Sequence, residues 1–396
     1  MVRLALPRPR PPDGRARQGR RAGRRRHPSA AGAAAAVLAA LCVSACAAPN
    51  GSPAGAPVSL YVATTGDGRI TQLDAATGRA VGAPLPAGPG PWQIATGPDG
   101  SLVTLSYPRR EGAELTHVGR AAAGWAARPV PLEPHARPTA LAGDGGPYAA
   151  VAYRVQDSDP AGAPQPCRVA LLDMRRGVVE RTATPCGLAD SVLDLAFERD
   201  PAGPVAYLAM WRWPADGGGR GAAGTGRVVT LDLATGATTA VQPLAGAPLL
   251  AVTAAAPAGF GRRLYVVEGV PGPENADEWR LLGLNPDSLA VEHALPLPEP
   301  PLALAVAADG GHAYVLAPRG SVLGRSRLYR VDLTTGSVRL LTTLPGRGLG
   351  LAAAADRIYV SQPEGNRVWT FDSRGKLVKT VSVGRYPTAL AQGSRR

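Results

Sequence analysis

Downstream of Cys46 the residues able to do chemistry are few and widely spaced. Four histidines remain, His117, His135, His293 and His312, and no two share the spacing that presents a ligand pair to zinc or haem iron. No Gly-x-Ser-x-Gly elbow offers a nucleophilic serine. The stretches "DSDPAG" (157–162) and "PENADE" (273–278) hold oxygen donors, but without the spacing of a calcium loop. No metal and no cofactor are therefore expected. Aromatic and basic residues are the richer signal: Trp211, Arg212 and Trp213 in succession, with Arg137, Arg154, Glu268 and Tyr386 elsewhere. Large rings with a polar edge and guanidinium forks suit a carbohydrate, a peptide or an anionic ligand. If His135, Glu268 and Arg137 met in a deep central pocket, they would favour an enzyme instead.

What positions them is a repeat. Apolar residues alternate with period two throughout, in short pieces bounded by Gly, Pro, Asp and Asn, which predicts an all-β chain. The turn Asp-x-x-Thr-Gly occurs at 74–78, 232–236 and 332–336, with looser forms at 173–177 and 372–375. Asp caps such a turn and Gly takes its positive φ. The two long gaps between turns hold degenerate copies, "LTHVGRAAAG" (115–124) and "LLGLNPDSLA" (281–290), giving seven copies in all. A small-residue strand such as "PTALA" (138–142) precedes each Tyr-Val strand and suits crowding around an axis. The prediction is a seven-bladed β-propeller of four-stranded antiparallel blades over residues 58–392. The chain starts without an inner strand and ends on a spare one, "YPTALAQ" (386–392), so N- and C-terminal strands should pair and close the ring.

In such a ring the connections between second and third strands share a face with those between blades. Here they are long, as in 107–114, 153–166, 210–226, 268–279 and 317–326. Function gathers on elaborated loops of rigid scaffolds, and the aromatic and charged candidates above fall on that face, where His135 alone of the histidines approaches them.

The repeats resemble the YVTN-type and YncE-like propellers of bacterial surface proteins, in "LYVATTGDGRITQLDAATG", "LYVVEG" and "IYVSQPEGNRVWTFDSRG". The stretch "GPGPWQIATGPDGSLVTLSY" (88–107) is also similar to a streptogramin lyase repeat. The His and Glu arrangement of those lyases is not placed in this chain, so that activity is not carried over. The resemblance implies the fold strongly and function weakly.

The formal charge of +13 is concentrated at the start. Residues 1–45 carry ten Arg and one acid, and the remainder balances 33 basic against 29 acidic residues, so no nucleic-acid partner is expected. The apolar run 30–46 is shorter than the ~20 residues of a spanning helix and follows a basic region, as in a secretory signal peptide. Its end, Val43-Ser44-Ala45-Cys46, resembles the bacterial lipobox, which implies cleavage before Cys46 and a diacylglyceryl group on its thiol. Residues 46–57 then read as a flexible tether and 393–396 as a tail. Two cysteines remain, Cys167 and Cys186, on either side of the turn Arg175-Arg176-Gly177. A hairpin centred there places them across from each other, and an extracytoplasmic address allows a disulfide; a two-thiol metal site is the weaker alternative.

The expectation is thus a monomeric lipoprotein on the extracytoplasmic side of the cell membrane. It would bind a small molecule, glycan or protein through its loop-rich face without catalysis. The alternative is a propeller enzyme, lyase, lactonase or dehydrogenase-like, with its active site at the top of the central channel. The anchor is checked directly: protein extracted from membranes should have lost residues 1–45 and carry an acylated N-terminus by intact mass. Membrane retention that survives Cys46→Ala would refute it.

Overall fold

The structure is a computed structural model, and it describes residues 58–106, 113–122, 124–155, 166–187, 190–212, 224–254, 262–271, 277–307, 309–318, 324–354 and 356–394. Seven four-stranded antiparallel sheets stand around an axis as the predicted seven-bladed propeller, with no helix among the described residues. Blades I to VII take their inner strands from Pro387–Ser394, Pro91–Thr96, Ala136–Gly143, Asp190–Asp200, Ala247–Ala254, Ala303–Val306 and Leu351–Ala354. Blade I is completed as expected: Pro387–Ser394 pairs with Val58–Thr64 in the register Leu60↔Gln392, Tyr61↔Ala391, Val62↔Leu390.

The repeat grammar has a packing cause. Tyr61, Tyr207, Tyr265, Tyr314 and Tyr359 occupy one equivalent place on the second strands, opposite Ala391, Ala196, Val252, Ala305 and Ala352. In four of these blades an alanine on the crowded inner strand leaves room for the ring, and every one of these tyrosines is buried. The Asp turns work as their spelling suggests. Asp74 Oδ1 accepts from the Thr77 amide at 2.7 Å and from its hydroxyl at 2.9 Å, while Gly78 sits at φ 61°. In blade V, Asn285 replaces the Asp and accepts from the Asp287 and Ser288 amides, both at 3.0 Å. Leu289 there holds φ 58° where other copies have Gly, and its burial in the core offsets the backbone strain.

Two pairs of adjacent blades are riveted through these turns. The Tyr359 hydroxyl of blade VII donates to the carbonyl of Ala75, the residue after the capping Asp of blade I. Blade II has Val103 where the tyrosine would be, and His117 on its third strand, directly opposite, does the equivalent job. His117 Nε2 donates to the Met174 carbonyl at 2.8 Å, again the residue after a capping Asp, and Nδ1 accepts from Arg128 Nε at 3.3 Å.

Burial, joined by the positive charge of Arg128, holds this imidazole below its ordinary 6.5, against the Met174 hydrogen bond and the charges of Asp99 and Asp173. It is neutral when folded and more basic when unfolded. Its contribution is therefore complete above about pH 6.5 and is lost as pH falls below that. His117→Phe should cost about 1 kcal/mol near neutral pH. Between about pH 7.5 and pH 5.5, denaturant midpoints should fall more for the wild type than for the variant. Parallel profiles would show that this ring does not titrate as a buried neutral group.

Candidate functional site

The inner strands begin at the loop-rich face, and the charged residues of blades III and IV meet there. Asp190 opens the inner strand of blade IV directly opposite Arg212, the last residue of the second strand Gly203–Arg212. Its side chain is fully buried. Oδ1 accepts from Arg212 Nε at 2.9 Å, and Oδ2 accepts from Arg227 at 2.5 Å and the Gly187 amide at 2.9 Å. Burial opposes the charge, but the Arg212 hydrogen bond, the Gly187 amide and the Arg227 charge outweigh it, so the carboxyl stays below its usual range. From blade III, Arg154 donates to the Asp190 backbone carbonyl and to Ser191 Oγ at 2.7 Å. Arg137 is the cross-strand neighbour of Arg154 and is exposed. Beneath them Cys167, Cys186, Val192 and Met210 belong to the core shared by the two blades.

The disulfide is formed, with Cα atoms 5.3 Å apart. Its register differs slightly from a plain hairpin. The turn pairs Asp173 with Val178, and a bulge between Leu171 and Leu172 then advances the register by one, which leaves Cys186 beyond the outer strand Val178–Ala183 and one place from the position opposite Cys167. Cys167 pairs with Arg154 across the sheet, and Cys186 precedes Gly187, so the bridge ties both sides of the arginine cluster.

Of the residues singled out in the sequence, Arg137, Arg154 and Arg212 come together. Trp211 does not join them, because neighbours on a strand point to opposite faces. Its indole lies against Gly224, where an added Cβ would come within 2.4 Å of the ring. Glu268, on blade V, is buried and accepts the Gly246 amide at 2.8 Å, fixing the crossover between blades IV and V. Tyr386 stands at φ 55° on the approach to the closing strand of blade I, its amide held by Asn366 Oδ1 at 2.9 Å. His135 is exposed at φ 61° in the loop entering blade III, two residues before Arg137, while Glu268 stands on blade V with its carboxylate bound to a backbone amide, so the three do not form one deep pocket. Cys46 and Trp213 lie outside the described residues. Sequence reasoning missed Asp190 and Arg227; the available signal was an Asp at the head of an inner strand, where the other copies have apolar or small residues.

Two further features share this face. Trp92 of blade II packs against Leu349 of blade VII, so its indole leans over the axial mouth. A depression of about 410 Å³ lies between the loops 65–68 and 86–90 and Arg385, at blades I and II. No group of three His, Cys, Asp or Glu able to hold a metal is found among the described residues.

No family model matches the chain, and neither does any curated protein. Among solved structures it is similar to the periplasmic gluconolactonase PpgL of Pseudomonas aeruginosa, at 17% identity and TM-score 0.53, covering 85% of this chain and 99% of that one. It is similar also to a putative 6-phosphogluconolactonase of Bacteroides uniformis, at 13% identity and TM-score 0.55, with 85% and 99% covered. A third is the dihydro-heme d1 dehydrogenase NirN, at 17% identity and TM-score 0.54, with 87% and 76% covered. At these identities the likeness establishes the bacterial seven-bladed propeller fold. The expectation of a non-catalytic binder is corrected here. The neighbours are named as enzymes, and none of them is named as a non-catalytic binder.

Asp190→Ala should destabilise the domain by about 2–3 kcal/mol, because Arg227 would keep a mostly buried charge without its partner. Arg212→Ala should cost less than about 1 kcal/mol, its side chain being 51% exposed. Denaturant titration of both variants checks the order, and a reversed order would show that Asp190 does not hold the cluster.

Proposed function

We propose that the chain is an extracytoplasmic propeller enzyme of the lactonase-like class, opening a small cyclic ester at the loop-rich face. The observation that carries this reading is the half-buried arginine cluster around Asp190, on a fold shared with proteins named as gluconolactonases. In lactone hydrolysis water adds to the carbonyl carbon, the ring C–O bond breaks, and the water's proton passes to the leaving alkoxide. Negative charge develops on the carbonyl oxygen on the way. Donors fixed in advance stabilise that charge without reorganising, and the half-exposed Arg212 guanidinium, pinned by Asp190, is such a donor. Asp190, kept ionised by its arginine partners, serves to orient them. The lipobox-like Cys46 and the 46–57 tether support a lipid-anchored placement, in keeping with the YVTN/YncE-like resemblance, and the periplasmic address in one neighbour's name agrees with an exported protein.

The test is acid release from aldonolactones and simple acyl lactones, followed by pH-stat with the oxidised chain from residue 47 onward. Hydrolysis above the buffer rate is expected, falling about 100-fold in Arg212→Ala. A panel in which no lactone opens faster than in buffer overturns the reading.

A further inference from the structure

The arginines at the head of blades III and IV outnumber their counter-charges. Arg137, Arg154, Arg212 and Arg227 face one carboxylate, that of Asp190, among the described residues. The acceptor capacity of Asp190 is already committed to Arg212, Arg227 and the Gly187 amide. Among the described residues Arg154 therefore donates to neutral oxygens alone, the Asp190 carbonyl and Ser191 Oγ at 2.7 Å. Burial pulls its pKa down, and the Asp190 charge opposes that without restoring it. Arg137 is exposed and has no partner among the described residues. The register Arg137↔Arg154 sets these two like charges directly opposite on one face of the sheet. That arrangement is unfavourable by itself and becomes favourable when an anion sits between the two forks.

We propose that Arg137 and Arg154 form the mouth of an oxyanion subsite that takes a carboxylate or phosphate group of the ligand. The rest of the cluster is its frame. Asp190 holds Arg212 and Arg227 in place, and the Cys167–Cys186 bridge fixes the strand carrying Arg154 to the segment carrying Gly187. The frame makes the subsite rigid, so an anion binds without ordering long side chains. This deepens the lactonase-like reading by giving its substrate a negative group apart from the ester, but anion binding is measurable without turnover.

The experiment is calorimetric titration of the oxidised chain from residue 47 onward with inorganic phosphate and, separately, with gluconate, at low and high chloride. Saturable binding weakened by chloride is expected. Arg137→Ala, which removes an exposed side chain, and Arg154→Lys, which keeps the charge but loses the fork, should each weaken it at least about tenfold. Binding of phosphate alone assigns the subsite to a phosphate monoester, and binding of gluconate alone to a sugar acid; both support it. Equal affinity in the wild type and Arg137→Ala overturns it. So does binding that emerges only after Asp157→Asn with Asp159→Asn, since the chain's own carboxylates would then be the counter-anions. Anion binding without opening of any lactone would sink the enzyme reading and leave this one standing. Lactone opening without anion binding would do the reverse.

Discussion

The pairing of Val58–Thr64 with Pro387–Ser394 is the constraint on which the rest depends. A propeller blade is a sheet with two edges, and a ring of blades is stable only if no inner strand is left unpaired at the seam. Here the seam joins the first and last described residues of the chain in one four-stranded sheet. Polar contacts then carry the closure to the neighbours on both sides. Thr96 of blade II donates to the Gln392 carbonyl at 2.7 Å, and Ser361 of blade VII donates to the Thr388 carbonyl at 2.7 Å. A seam held at both flanks keeps the whole loop-rich face at fixed geometry, so residues on blades III and IV can be positioned by strands far from either end.

Two interfaces between blades share a single logic with two chemical solutions. A ring system on the middle strands reaches the carbonyl that follows the next blade's capping Asp. Tyr359 does this with a hydroxyl and His117 with an imidazole. The tyrosine solution is insensitive to pH across the physiological range, whereas the histidine solution is not. Blade II thus carries a pH dependence that its neighbours lack, with no bearing on the opposite face where the arginines lie.

The fold was legible because its cause is local and repeated. Asp and Gly set each hairpin, Ala opposes Tyr on the inner strand, and seven copies make the period visible even where Asn285 or Leu289 replaces the usual residue. The site was legible only in part, because it is built once. Arg137, Arg154 and Arg212 could be picked out as basic residues at strand ends. Their joint destination could not, since it depends on which face of blade III looks at which face of blade IV. Trp211 and Arg212 show the difficulty: adjacent in sequence, they serve opposite sides of one sheet. Glu268 shows another, being a carboxylate on the right face whose hydrogen bond goes to a backbone amide.

A buried ion cluster at the edge of a dry interface needs a reason beyond stability. An apolar pair in place of Asp190 and Arg227 would pack above Val192 and Met210 with no desolvation cost. The chain instead keeps a fully buried carboxylate, surrounds it with arginines, and closes the segment beside it with a disulfide. The buried charges cost stability singly, the disulfide offsets part of that cost, and a carboxylate that orients two arginines leaves Arg137 and Arg154 without a carboxylate partner among the described residues. Strain and surplus charge of this kind persist where the surrounding ring over-determines the geometry, and the closed propeller supplies that over-determination.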